Sequence, residues 1–126
     1  MKEVIAGLKC VRSQVVEYQH TAAALGNGSV EVFSTPHMLA LVEMACADAV
    51  APYLDEGEVT VGMKVELTHL APTPVGMKVS ASAVLEDVKG KLFTFKVDVN
   101  DEEKKAGIAV HTRAVVKLAN FLGKHQ

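Results

Sequence analysis

The stretch "STPHMLALVEMACADAV", residues 34–50, predicts one long helix, and this helix decides the fold. Thr35 is a good N-cap residue, and Pro36 suits the first helical position. The apolar pattern continues to Ala51, and Pro52 then ends the helix. Nearly every face of the helix is apolar, so we expect the rest of the chain to wrap around it.

Glu43 stands in this helix where the pattern favours another apolar residue. Its neighbours three and four positions away are Leu39, Ala40, Cys46 and Ala47. Ionised carboxylates are rarely buried without a partner, because desolvation costs several kcal/mol. The partner is either a structural group, such as an arginine or a backbone amide, or a group that belongs to a functional site. Thr35 of the same chain is excluded, because eight helical residues span about 12 Å.

The remaining chain predicts strands. Six segments have suitable composition or alternation: residues 8–16, 29–33, 61–70, 77–86, 91–99 and 107–118. The last three are joined by short turns and favour an antiparallel meander. One sheet face is then expected to pack on the helix, and the other to be solvated. The solvated face is predicted to carry Lys78, Ser80, Ser82, Glu86, Lys96 and Asp98.

Alternation assigns the apolar faces of these strands. In residues 61–70, the apolar face is predicted to consist of Val61, Met63, Val65, Leu67 and His69. In residues 107–118, it is predicted to consist of Ile108, Val110, Ala114 and Val116. His69 is therefore a second polar residue on an apolar face. A histidine at a strand end is commonly structural, and Thr35 is already explained as an N-cap. Glu43 is the residue whose position most strongly indicates function, and His69 or a second copy of the chain is its expected partner.

Composition limits the class of protein. The 126 residues are 49% hydrophobic, which predicts one globular domain over residues 1–126. The net charge of −2 argues against a nucleic-acid partner. Two cysteines do not form a disulfide framework, and no apolar run is long enough to span a membrane. With no recognisable leader, a cytoplasmic location is expected.

Three segments carry a family resemblance. STPHMLALVEMAC, VGMKVELTHLAPTPVG and HTRAVV together resemble the hotdog-fold acyl-CoA thioesterases, and more closely their fluoroacetyl-CoA thioesterase-like branch. The resemblance covers about residues 21–118. It implies an α+β hotdog fold, in which a curved antiparallel sheet wraps one long central helix and two subunits pair through their sheets. A homodimer is therefore expected, and further pairing into a tetramer is left open.

The resemblance also implies roles for five residues. Thr35, Glu43 and His69 match the family's catalytic residues, Gly62 matches the glycine whose backbone amide meets the thioester, and Arg113 matches a substrate-binding arginine. These residue types suit hydrolysis of an acyl-CoA thioester, with Glu43 as general base or as nucleophile. The Gly62 amide would stabilise the developing oxyanion. No metal or other cofactor is needed, and His20, His37, His69, His111 and His125 show no metal-ligand spacing.

One departure from the family pattern bears on the substrate. Members specific for fluoroacetyl-CoA carry bulky aromatic residues before the helix, whereas this chain has Gly26, Asn27, Gly28 and Ser29 there. The sequence therefore predicts a less restricted pocket, for a different small or medium acyl group. Two alternatives remain open: a hotdog dimer that binds an acyl-CoA or another small ligand without hydrolysing it, and a dimeric scaffold with a vestigial pocket.

Overall fold

The computed structural model describes residues 1–123, so His125 and the end of the predicted domain lie outside the described residues. The elements are β1 Lys9–Val15, α1 Thr35–Val50, β2 Glu58–His69, β3 Lys78–Lys89, β4 Leu92–Asp101, β5 Lys105–Lys117 and α2 Leu118–Gly123. Short 3-10 turns occupy Tyr18–His20 and Ala51–Tyr53. Pro52 lies in the second of these turns, directly after α1, as predicted.

The five strands form one antiparallel sheet in the order β1-β3-β4-β5-β2. The predicted meander of β3, β4 and β5 is confirmed. β1 and β2 are the two edge strands, so each has one side that no other described strand occupies. Among residues 1–123, neither helix is long and apolar enough to cross a membrane.

The core lies between α1 and one face of the sheet. The alternation predicted for β3 and β4 is confirmed within these strands. Of the nine side chains predicted on their apolar faces, Met77 precedes β3 and is partly buried. The other eight are buried: Val79, Ala81, Ala83, Leu85, Phe93, Phe95, Val97 and Val99. From the helix, Met38, Leu41, Val42, Ala45, Cys46, Ala49 and Val50 complete this layer. Removing these apolar side chains from water is the main favourable contribution to folding.

A one-residue bulge changes the inward face of β2. The register on β5 shifts between Gly62 and Lys64, which leaves Met63 as the extra residue. Val65, Leu67 and His69 follow the predicted face, but Met63 is 62% exposed, and Gly62 takes the inward position on its side of the bulge. The prediction that Val61 and Met63 share the inward face is therefore wrong, because alternation reverses across a bulge.

β5 turns the opposite face inward from the one predicted. Ile108 and Val110 are exposed. The alternating residues Ala109, His111 and Arg113 are buried and face the helix. The prediction that the face with Ile108 and Val110 packs on the core is therefore wrong. The sheet instead places two large polar side chains between itself and the helix.

The start of α1 also differs from prediction. Ser34, not Thr35, is the N-cap, and its hydroxyl accepts a hydrogen bond from the backbone N–H of His37. Thr35 is therefore the first helical residue, and its hydroxyl is available for other contacts. Residues 29–33, predicted as a strand, make only isolated bridges through Val32 and Phe33.

One face of α1 is exposed in the single chain, contrary to the expectation that protein wraps it on all sides. We call this face the helix stripe; it consists of Pro36, Ala40 and Met44. These residues are four positions apart and therefore lie along one side of the helix. The stripe is apolar, with no residue larger than methionine.

Packing at the centre of β4 generates the first prediction. Phe95 is fully buried, whereas its neighbour Lys96 points outward and pairs with Glu86. Phe95→Ala is expected to lower the free energy of unfolding by about 3–5 kcal/mol, because it leaves a cavity. Lys96→Ala, the control, is expected to lower it by less than about 1 kcal/mol. Urea denaturation of both variants measures the difference, and equal losses would contradict this packing.

Candidate active site

Thr35 and His69 form the first contact among the predicted site residues. The Thr35 hydroxyl lies 2.8 Å from Nδ1 of His69, so the start of α1 meets the end of β2. We call these two residues the threonine–histidine pair. Burial lowers the pKa of His69, against the opposing effect of a hydrogen bond with the backbone of Ala71. The uncharged imidazole, which can accept a proton, is therefore favoured near neutral pH.

Glu43 finds its partner on β5. Arg113 Nη1 donates to Glu43 Oε2 at 3.2 Å, and the Glu43 side chain is 30% exposed. The prediction that His69 is the partner of Glu43 is wrong within one chain, because His69 contacts Thr35 instead. The arginine that the sequence left open as a structural partner is Arg113, the same residue that the resemblance implies for substrate binding.

The Arg113 guanidinium is held on several sides. Its Nε donates to the Thr60 hydroxyl at 2.9 Å, and its Nη2 donates to the Thr60 carbonyl at 2.8 Å. Its Nη1 is also 3.2 Å from Nε2 of His111. The Arg113 side chain is only 5% exposed, so these contacts compensate for much of the cost of burying its charge.

His111 is a buried residue that sequence reasoning did not assign to the site. Its ring is 1% exposed, and its Nε2 lies 3.9 Å from Glu43 Oε2. Burial lowers the pKa of His111, and the nearby Arg113 charge lowers it further, so the uncharged ring is favoured at neutral pH. The available signal was the two-residue spacing of His111 and Arg113, which places both on one face of a strand.

Gly62 lies against the carboxylate of Glu43. A Cβ built at Gly62 would overlap Glu43 Oε2 and would come within 3.3 Å of the His111 ring. A side chain at position 62 would therefore displace the Glu43 carboxylate, whereas glycine leaves it in place. We call Glu43, Gly62, His111 and Arg113 the glutamate cluster.

The glutamate cluster and the threonine–histidine pair lie at separate depressions of the surface. The glutamate cluster borders one of about 190 Å³, which Met63, Lys64 and Val65 also line. Thr35 borders another of about 300 Å³, whose wall includes Leu25 and Asn27. A third depression, of about 320 Å³ and lined by Lys96 and Asp98, contains none of the predicted site residues. Within one chain, the five predicted residues therefore form two groups and not one continuous site.

Two other chemistries have little support around α1. Cys46, one turn from Glu43, is buried, and burial raises the pKa of its thiol to about 12. A thiolate nucleophile at this position is therefore disfavoured. Across residues 1–123, no three histidine, cysteine or acidic side chains form a group that could hold a metal ion.

The lowered pKa values of His69 and His111 generate a prediction about stability. In the unfolded chain both rings take up protons near the usual histidine pKa of about 6.5, whereas the folded chain resists protonation. The free energy of unfolding is therefore expected to fall between pH 7 and pH 5. Urea titrations at both pH values measure this, and His111→Gln should show a smaller fall. A stability that is constant or rises on acidification would contradict the burial of these rings.

Comparisons with known proteins place the chain in a family. The model of the FlK family, described as fluoroacetyl-CoA-specific thioesterase, matches residues 16–119. A fluoroacetyl-CoA thioesterase from Streptantibioticus cattleyicolor is 40% identical over 94 residues, which cover 75% of this chain and 68% of that protein.

Solved structures extend the comparison to the fold. A structure of the fluoroacetyl-CoA thioesterase FlK superposes with a TM-score of 0.92 at 34% identity, covering 98% of this chain and 96% of that one. A Thermus thermophilus member of the thioesterase superfamily has a TM-score of 0.91 at 26% identity, covering 99% and 93%. The predicted hotdog fold is confirmed, and so is the predicted class of acyl-CoA thioester hydrolase. The chain belongs to the FlK family of fluoroacetyl-CoA-specific thioesterases.

Proposed function

We propose that this protein hydrolyses an acyl-CoA thioester to the free acid and coenzyme A, acting as one hotdog domain. The observation that carries the proposal is the glutamate cluster, in which a partly exposed carboxylate lies beside a glycine backbone at an open depression. The comparisons support thioester hydrolysis as the class of reaction. The relatives are fluoroacetyl-CoA thioesterases.

The proposed roles follow from charge and position. Glu43 acts on the thioester carbonyl, either as general base on a water molecule or as the nucleophile itself. The Gly62 backbone amide stabilises the oxyanion that forms on the carbonyl oxygen. Arg113 orients Glu43 and adds positive charge beside the substrate. The threonine–histidine pair activates water or protonates the departing thiolate.

The two groups form one site when two copies of the chain pair. Thr35 and Glu43 lie about 12 Å apart along α1, so one thioester cannot touch both groups of the same chain closely. A two-fold axis beside β2 would bring the glutamate cluster of one subunit to the threonine–histidine pair of its partner. The unoccupied side of β2 and the apolar helix stripe support this homodimer, because both would otherwise be exposed to water.

Other surfaces bear on assembly and location. Ile108 and Val110 form an exposed apolar patch on the outer sheet face, where two dimers can pair into a tetramer. Cys10 and Cys46 are both free thiols, which suits the reducing conditions of the cytoplasm. A cytoplasmic homodimer, or a tetramer formed by two such dimers, is therefore part of the proposal.

The acyl group is proposed to be larger than fluoroacetyl. Phe33, the one phenylalanine in the segment before α1, is 1% exposed and belongs to the core, so it does not cover the depression beside Thr35. The wall of that depression includes Leu25 and Asn27, and Leu25 is 54% exposed. A small aliphatic or medium acyl chain fits this open boundary better than a two-carbon group does.

The role of Glu43 is tested by thiol release from a panel of short- and medium-chain acyl-CoAs. Glu43→Gln preserves size and is expected to lower kcat by at least about 100-fold, because the base or nucleophile is lost. Asp48→Asn is the control: this carboxylate lies five residues further along α1 and pairs with Arg12 at the surface. Wild-type turnover in Glu43→Gln would contradict the assignment. Tight binding of acyl-CoA by the wild-type protein, without thiol release, would favour the non-catalytic binder.

The shared site is tested with a heterodimer of two inactive variants. Glu43→Gln and His69→Ala subunits carry different affinity tags, are produced together, and are purified through both tags. If each site combines Glu43 of one subunit with His69 of the other, one of the two sites is intact, and about half of wild-type activity is expected. Activity no higher than that of either variant homodimer would show that the two residues act within one chain.

A further inference from the structure

His111 joins two structural features of the glutamate cluster. Its Nδ1 lies 2.7 Å from the carbonyl oxygen of Lys64, at the point where the β2 register shifts. A carbonyl oxygen only accepts hydrogen bonds, so Nδ1 must carry the proton and donate. The uncharged ring then has a free electron pair on Nε2, which accepts from Arg113 Nη1 at 3.2 Å.

These contacts form a chain that ends at the carboxylate. The Lys64 carbonyl fixes His111, His111 fixes the guanidinium, and Arg113 Nη1 donates to Glu43 Oε2. Because His111 and Arg113 are buried and Glu43 is partly exposed, the chain runs from the sheet interior towards the depression. Oε2 alone is engaged among the described residues, which leaves Oε1 available for water or substrate.

We propose that His111 is a positioning residue for the hydrolysis, which holds the Arg113 guanidinium where it orients Glu43 beside Gly62. This inference rests on the proposed function. It differs from a purely structural role, because the ring supplies two separate contacts on opposite sides. The Nδ1 contact stabilises the β2 bulge, whereas the Nε2 contact determines where Arg113 and the carboxylate lie.

Two substitutions separate these contacts. The amide of His111→Asn replaces Nδ1 as a donor to the Lys64 carbonyl but leaves nothing at the Nε2 position. The longer amide of His111→Gln places an oxygen near the Nε2 position, where it can accept from Arg113. We expect His111→Asn to lower kcat by about 10- to 100-fold with KM changed less than about 3-fold. His111→Gln is expected to retain kcat within about 3-fold of wild type.

A stability control excludes simple unfolding as the cause. Val115→Ala removes a buried apolar side chain on the same face of β5, two residues beyond Arg113. It is expected to lower the melting temperature while kcat stays near wild type. A loss of kcat in His111→Asn at a comparable melting temperature then reports on positioning and not on stability.

The dependence on Arg113 is tested by combining substitutions. In an Arg113→Lys background the planar guanidinium is absent, so adding His111→Asn is expected to reduce kcat by less than about 3-fold further. Independent, fully multiplying losses would overturn the inference, as would equal kcat values for His111→Asn and His111→Gln. If Glu43→Gln is inactive while His111→Asn has wild-type kcat, this inference fails alone. If Glu43→Gln is fully active, the proposed function fails, and the inference fails with it.

Discussion

Arg113 brings a permanent positive charge into the space between the sheet and α1, and the rest of the candidate site depends on how this charge is compensated. Thr60, His111 and Glu43 together surround the guanidinium. A buried charge that loses its partner is strongly destabilising, so each of these groups is held in position by the requirement to satisfy Arg113. Glu43 is thereby kept at a defined place on an otherwise apolar helix.

The backbone near this charge is shaped to admit it. The bulge at Met63 turns Gly62 and Thr60 inward, so that a hydroxyl reaches Arg113 and no side chain intervenes between β2 and Glu43. In β5, the inward face is the one opposite to that predicted. His111 and Arg113 therefore lie on the inner face, and Ile108 and Val110 lie outside. The adjacent strands β2 and β5 thus both depart from simple apolar alternation beside Glu43 of α1.

The sequence predicted the parts of the fold that follow from regular periodicity. The helix was marked by its apolar run and by Pro52, and β3 and β4 had an unbroken alternation that the structure confirms. The errors have local physical causes. A bulge reverses alternation without a sequence signal of its own, and β5 has apolar residues on both faces, so alternation chose the wrong one. Ser34 and Thr35 are both good caps, and only geometry shows which hydroxyl caps the helix.

The sequence indicated most residues of the candidate site, but it did not indicate His111 or how the residues are grouped. The sequence indicates Glu43 because a carboxylate on an apolar helix requires a partner. The partner, Arg113, lies 70 positions later in the chain, and predicting it requires knowing which face of β5 points inward. Helical spacing correctly separated Thr35 from Glu43, and the structure adds that His69 accompanies Thr35. The two groups open into different depressions, which is why the proposed site needs a second subunit.

A crystal structure with a non-hydrolysable acyl-CoA analogue, in which a methylene group replaces the thioester sulfur, tests the central claim most directly. The account predicts a dimer with the acyl carbonyl within about 3–3.5 Å of Gly62 and Glu43 of one subunit, and with the threonine–histidine pair of the other subunit facing it. An analogue bound with its carbonyl away from Glu43, for example in the depression beside Lys96 and Asp98, would contradict the account.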